Sequence, residues 1–148
     1  MSSGGGVWGR VRRAFSRRGP EPLDPARPDL VVVVSSFDDV EACSTALERG
    51  AATEPAWSPE SEAVLRHHLE LPADSVERAI ALAAQDGYAP AQPANPAGPG
   101  LQAVLLQRVQ VLDALHCSQE RSRMAGLAQR LGGTALGWDA LQPEIGPG

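Results

Sequence analysis

The chain has 148 residues, 43% of them hydrophobic, enough for one domain whose core folds without disulfides or metal. Its charge is unevenly divided: residues 1–28 carry six arginines against Glu21 and Asp24, a net of +4, and residues 29–148 carry seven arginines against sixteen acids, a net of −9. The body therefore repels phosphate backbones on average while the tail attracts them, which argues against the folded part being a general RNA or DNA binder.

Residues 1–29 read as a disordered, basic and Pro-rich tail. Within it Val7, Trp8, Val11 and Phe15 fall at helical spacing, interleaved with Arg10, Arg12, Arg13, Arg17 and Arg18. On a helix this is an apolar stripe flanked by positive charge, a pattern suited to anionic membrane surfaces or RNA. The segment is short for an isolated helix in water, and Pro20, Pro22, Pro25 and Pro28 make an extended linker behind it. The N-terminus lacks the apolar region of a signal peptide. No apolar run approaches the ~20 residues that span a bilayer, so a cytoplasmic location is expected.

A single α+β domain is expected over residues 30–142. Residues 30–34, all apolar and mostly β-branched, suit a buried strand. Ser36 with Asp39 three residues on reads as a capping box opening a helix over 37–49, with Val40, Cys43 and Leu47 on its inner face and Gly50 ending it. Residues 63–71 alternate: Ala63, Leu65, His67, Leu69 and Leu71 on one side, Val64, Arg66, His68 and Glu70 on the other. That predicts a strand with one covered and one wetter face. Pro72 opens a helix whose buried stripe is Val76, Ile80, Ala83 and Ala84, stopped by Gly87, and residues 88–92 follow as a short strand.

After the Pro- and Gly-rich connection 93–100 comes the longest strand signal, residues 101–111, with Ala103, Leu105, Val109 and Val111 on one face. Asp113 is the predicted N-cap of a helix running to Leu131, with Cys117, Met124, Leu127, Ala128 and Leu131 inward. Gly132 and Gly133 end it, residues 134–138 form a last strand, and the remainder, including 143–148, is expected to fray. Cys43 and Cys117 are expected as buried free thiols on helices.

From residue 62 the order is strand, helix, strand, strand, helix, strand, which predicts a ferredoxin-like βαββαβ sandwich with an N-terminal β-α extension. This order, together with three local patterns, resembles the RraB family of ribonuclease E regulators over residues 62–140. Leu65-Arg66-His67-His68-Leu69 is similar to the family's first strand with its His-His pair. The helix ending in Gly87-Tyr88 is similar to the family's first helix. Leu127-Ala128-Gln129-Arg130-Leu131 followed by Gly137-Trp138 resembles its final helix and Gly-Trp strand. The family usually has Tyr-Asp before that Gly-Trp, where this chain has Ala135-Leu136. The resemblance implies a regulator without catalytic activity that inhibits a ribonuclease of the E/G class by binding it.

No catalytic residues, cofactor or metal site are expected. His67 and His68 are adjacent on a strand and point to opposite faces, so one metal cannot easily take both. His116-Cys117 has no fixed relation to them. There is no Gly-x-Ser-x-Gly elbow and no phosphate-cradling glycine pattern, and Asp38-Asp39 sits where helix capping explains it. RNA recognition on the sheet would need stacked aromatics, and the central strands offer only Tyr88. The candidate partner-binding residues are Arg66, His68, Glu70, Tyr88, Arg108 and Trp138, because arginine and tryptophan dominate protein interfaces. For Trp138 a place in the core beneath the last helix stands as the equal alternative. Nucleic acid or an anionic membrane is expected to be met only through the N-terminal tail.

Overall fold

The computed structural model describes residues 22–144. It is an α+β structure in which one five-stranded antiparallel sheet carries three α-helices. In chain order the elements are β1 (Leu30–Ser36), α1 (Cys43–Ala51), β2 (Glu62–Pro72), a 3-10 turn (Ala73–Ser75), α2 (Val76–Ala84), β3 (Ala89–Ala91), β4 (Leu101–Val111), α3 (Ala114–Arg130) and β5 (Thr134–Pro143). The strands lie in the order β1-β5-β2-β4-β3.

The alternation of β2 decides the layering. Ala63, Leu65, Leu69 and Leu71 are all buried, and they join two apolar clusters on the same side of the sheet. One cluster adds Cys43, Ala46 and Leu47 of α1, Cys117 of α3, and Trp138 and Ala140 of β5. The other adds Ala79 and Ala83 of α2, Val104 and Leu106 of β4, and Met124, Leu127 and Ala128 of α3. All three helices therefore cover one face; Val64, itself buried, and the half-buried Arg66, His68 and Glu70 lie on the other.

That second face is partly dressed. The Leu23 N–H donates to the Glu62 carboxylate at 2.8 Å, and the Gly98 N–H donates to Glu70 at 3.2 Å. Residues 22–29, assigned from sequence to the tail, thus touch the body, and Asp29 accepts from the Glu144 N–H at 2.8 Å.

Four local expectations need correction. The helix expected from Phe37 begins only at Cys43. Asp38 accepts from the Val40 N–H as a tight turn, and Ser36 spends its hydroxyl on Glu41. Val40, expected inside, is 84% exposed. Gly50 lies within the helix rather than after it. On β4, by contrast, Ala103, Leu105, Val109 and Val111 share a face as expected, and cross-strand pairing of Leu105 with His68 and Val109 with Val64 puts that face on the helix-free side. Val104 and Leu106 face the core beneath the helices. Finally, β5 runs on to Pro143 instead of ending at Trp138. Residues 145–148 lie outside the described residues.

The rims of the sheet differ. β1 carries a register irregularity between Val32 and Val34, and Arg49 of α1 donates to the Ser35 carbonyl at 2.9 Å. At the other rim β3 is three residues long and contains Pro90. Among the described residues no helix is long and apolar enough to cross a membrane.

Candidate functional site

The helix-free face holds one ordered polar cluster at its centre. Arg66 of β2 stands opposite Asp139 of β5. Its Nε and one terminal nitrogen donate to the two carboxylate oxygens, each at 2.7 Å. This is the bidentate fit that planar guanidinium and carboxylate groups allow. His68, two residues along β2 and so on the same face, places Nε2 at 3.0 Å from the same carboxylate. Asp139 is only 5% exposed. Burial opposes its charge, but the bonds from Arg66 and His68 outweigh it and hold its carboxyl below the usual range.

Phe37 completes the cluster. Its ring meets the His68 ring edge-on, with centroids 5.0 Å apart and planes at 62°, while 55% of the residue remains exposed. Gly137 makes that seat possible. A Cβ there would strike the Phe37 ring and would lie 2.6 Å from the Ser36 carbonyl, so any larger residue drives the ring away. The result is a half-open surface where a fixed arginine and an imidazole converge on a buried carboxylate, with an exposed aromatic ring against the imidazole.

A second polar network sits on the opposite side, under the helices. Tyr88 donates to Glu120 of α3 at 2.8 Å, and its oxygen lies 3.3 Å from His67 Nε2. Since the phenol proton goes to the carboxylate, the oxygen is free to accept from an Nε2–H imidazole. Arg108 of β4 lies 4.6 Å from the Tyr88 ring centre and 3.4 Å from the Glu120 carboxylate, and Arg123 adds a bond at 3.2 Å. Burial drives His67 down to about 4, so it is neutral near pH 7. Burial, then the bond to Glu120, pushes the Tyr88 phenol far up. Burial works against the Glu120 charge, but Tyr88, Arg108 and Arg123 hold its carboxyl low. The network fastens α3 to the sheet, and Arg108 extends it by donating to Gln110 and to the Asp86 carbonyl.

The residues predicted from sequence are thus divided. Arg66 and His68 come together on the helix-free face, and Glu70 lies one step further along it, bonded to the loop at Gly98. Tyr88 and Arg108 belong to the opposite network. Trp138 is 1% exposed and packs among Cys43, Ala46, Leu47, Leu65 and Cys117, so it is a core residue and offers no surface to a partner. Trp8, Arg10, Arg12, Arg13, Phe15, Arg17 and Arg18 lie outside the described residues.

Sequence reasoning missed Asp139, Phe37 and Glu120. Asp139 carried no signal without the pairing of β5 to β2. Glu120 was legible in principle, because it falls at helical spacing between Cys117 and Met124. Among the described residues no group of three or more His, Cys, Asp or Glu is placed to hold a metal ion. No family model, curated protein or solved structure matches the chain.

Proposed function

We propose that this chain is a non-enzymatic regulatory protein of the cytoplasm that binds another protein through the helix-free face of its sheet. By its resemblance to the RraB family, that partner is a ribonuclease of the E/G class, which binding inhibits. We further read residues 62–143 as a ferredoxin-like βαββαβ sandwich with the β1–α1 unit added beside β5. The strand order β5-β2-β4-β3 within the sheet supports that reading.

The observation that carries the functional reading is the Phe37–His68–Asp139–Arg66 cluster. An exposed aromatic ring beside a rigidly held arginine is the pairing that supplies binding energy at protein interfaces. Arg66 and His68 are already fixed by their bonds to Asp139, so little of their rotamer freedom is lost on docking. Arg66 and His68 stand within the stretch that resembles the family's first strand.

The direct experiment mixes the purified full chain with an E/G-class ribonuclease from the same cell. Complex formation and slowed RNA cleavage are expected. A ribonuclease that neither binds the chain nor changes its rate defeats the proposed partner.

A further inference from the structure

We propose that residues 1–21 dock back in cis on the helix-free face of the sheet, covering the Arg66–His68 cluster until a partner displaces them. This rests on the reading above and names what regulates that same surface.

The place where the tail joins the body carries the argument first. Leu23 is bonded through its N–H to Glu62, and Glu62 shares its face of β2 with Val64, Arg66 and His68. The first described residues, Pro22 and Leu23, therefore stand on the helix-free side, at the end of the strand that bears the cluster.

Length comes second. Phe15 precedes Pro22 by seven residues, an extended reach of up to about 25 Å. From Glu62 to His68 along β2 is about 20 Å. That length brings the cluster, and the exposed Val32, Phe37 and Val111 on the same face, within range of the stripe formed in sequence by Val7, Trp8, Val11 and Phe15.

Charge is the third observation. Asp24, Glu60 and Glu62 line one pocket where the tail joins. The arginine among them, Arg27, is already paired with Asp29 at 2.5 Å. Residues 1–21 bring five arginines against Glu21 to a body of net −9. Opposite charges tethered on one chain attract even across water, and salt weakens the attraction.

A nitroxide on Ser16→Cys in the full-length chain tests this by paramagnetic broadening of backbone amides, with the buried Cys43 and Cys117 left in place. Broadening centred on Arg66, His68, Gln107, Val109 and Val111 is expected. It should be lost in high salt, and lost again when Arg10, Arg12, Arg13, Arg17 and Arg18 are all changed to glutamate. Broadening centred on the helices, or none on this face, overturns the proposal. So does a tail that leaves this face unbroadened and instead binds phosphatidylserine vesicles or single-stranded RNA. No ribonuclease enters the measurement, so failure of cis docking and failure of the partner assignment are read separately.

Discussion

Asp139 and Arg66, seventy-three positions apart in sequence, meet on neighbouring strands through two hydrogen bonds of 2.7 Å. The pair locks the middle of β5 to the middle of β2, and it does so on the face without helices. Replacing Asp139 with Asn keeps the shape but leaves the guanidinium without its counter-charge. We expect a loss of about 2 kcal/mol, the scale of a hydrogen bond to a charged group. In urea the midpoint should fall at unchanged slope. An unmoved midpoint would mean that the pair holds nothing together.

Acid should weaken the fold in a defined window. His67 is neutral when folded, with its pKa lowered from 6.5 to about 4 by burial first of all. Between those values the unfolded chain binds the proton and the folded chain does not, so stability rises with pH from about 4 to 6.5. The full difference is on the order of 3 kcal/mol. Asp139 and Glu120 have depressed folded values; their contribution is present above the ordinary carboxylate range and is lost only at more acid pH. Denaturation midpoints measured across the window should slope for the native protein and flatten for His67→Phe. A flat native profile sinks the assignment of His67 as buried and neutral.

Phe37 separates binding from folding. Its ring is 55% exposed, so Phe37→Ala should move stability by less than about 0.5 kcal/mol. If the helix-free face is the docking surface, the same change should weaken partner affinity about tenfold or more, roughly 1.4 kcal/mol. Calorimetric titration against the ribonuclease checks it. Equal affinities for the two proteins would remove this face from the interface. Gly137→Ala differs, because its Cβ also meets the Ser36 backbone, and both affinity and stability should fall.

The two cysteines should be silent in the folded protein. Cys43 and Cys117 are free and buried, and burial, followed by a bond to Cys43, pushes the Cys117 thiol far up. Since the thiolate is the reactive form, an aromatic disulfide reagent should label neither thiol natively and both in denaturant. Rapid native labelling of either would show that α1 does not stay packed on α3.

Legibility in the sequence followed chemistry that acts locally. β2 was readable because Leu65, Leu69 and Leu71 alternate with Arg66, His68 and Glu70, and Asp113 was readable because a cap needs only the His116 N–H three residues on. The end of β5 looked like a tail because Asp139, Gln142 and Pro143 are poor strand residues. Distant partners satisfy them: Arg66 and His68 take Asp139, and Gln142 exchanges bonds with the backbone of Ser58. β4 left its inward side open for another reason. It is apolar at both parities, so its pattern did not say which side met the helices. The helix start at Phe37 failed because Ser36 and Asp38 use their oxygens on a turn instead of a cap.

The two rims of the sheet set how the molecule behaves in company. A run of valines at a bare border is a ready template for ribbon growth from one copy to the next. Here Arg49 occupies the Ser35 carbonyl, a bulge breaks the run at Val33, and Pro90 withholds a donor on the far side. Concentrated solutions of this protein should therefore stay free of fibrils, despite the unbroken apolar run from Leu30 to Val34.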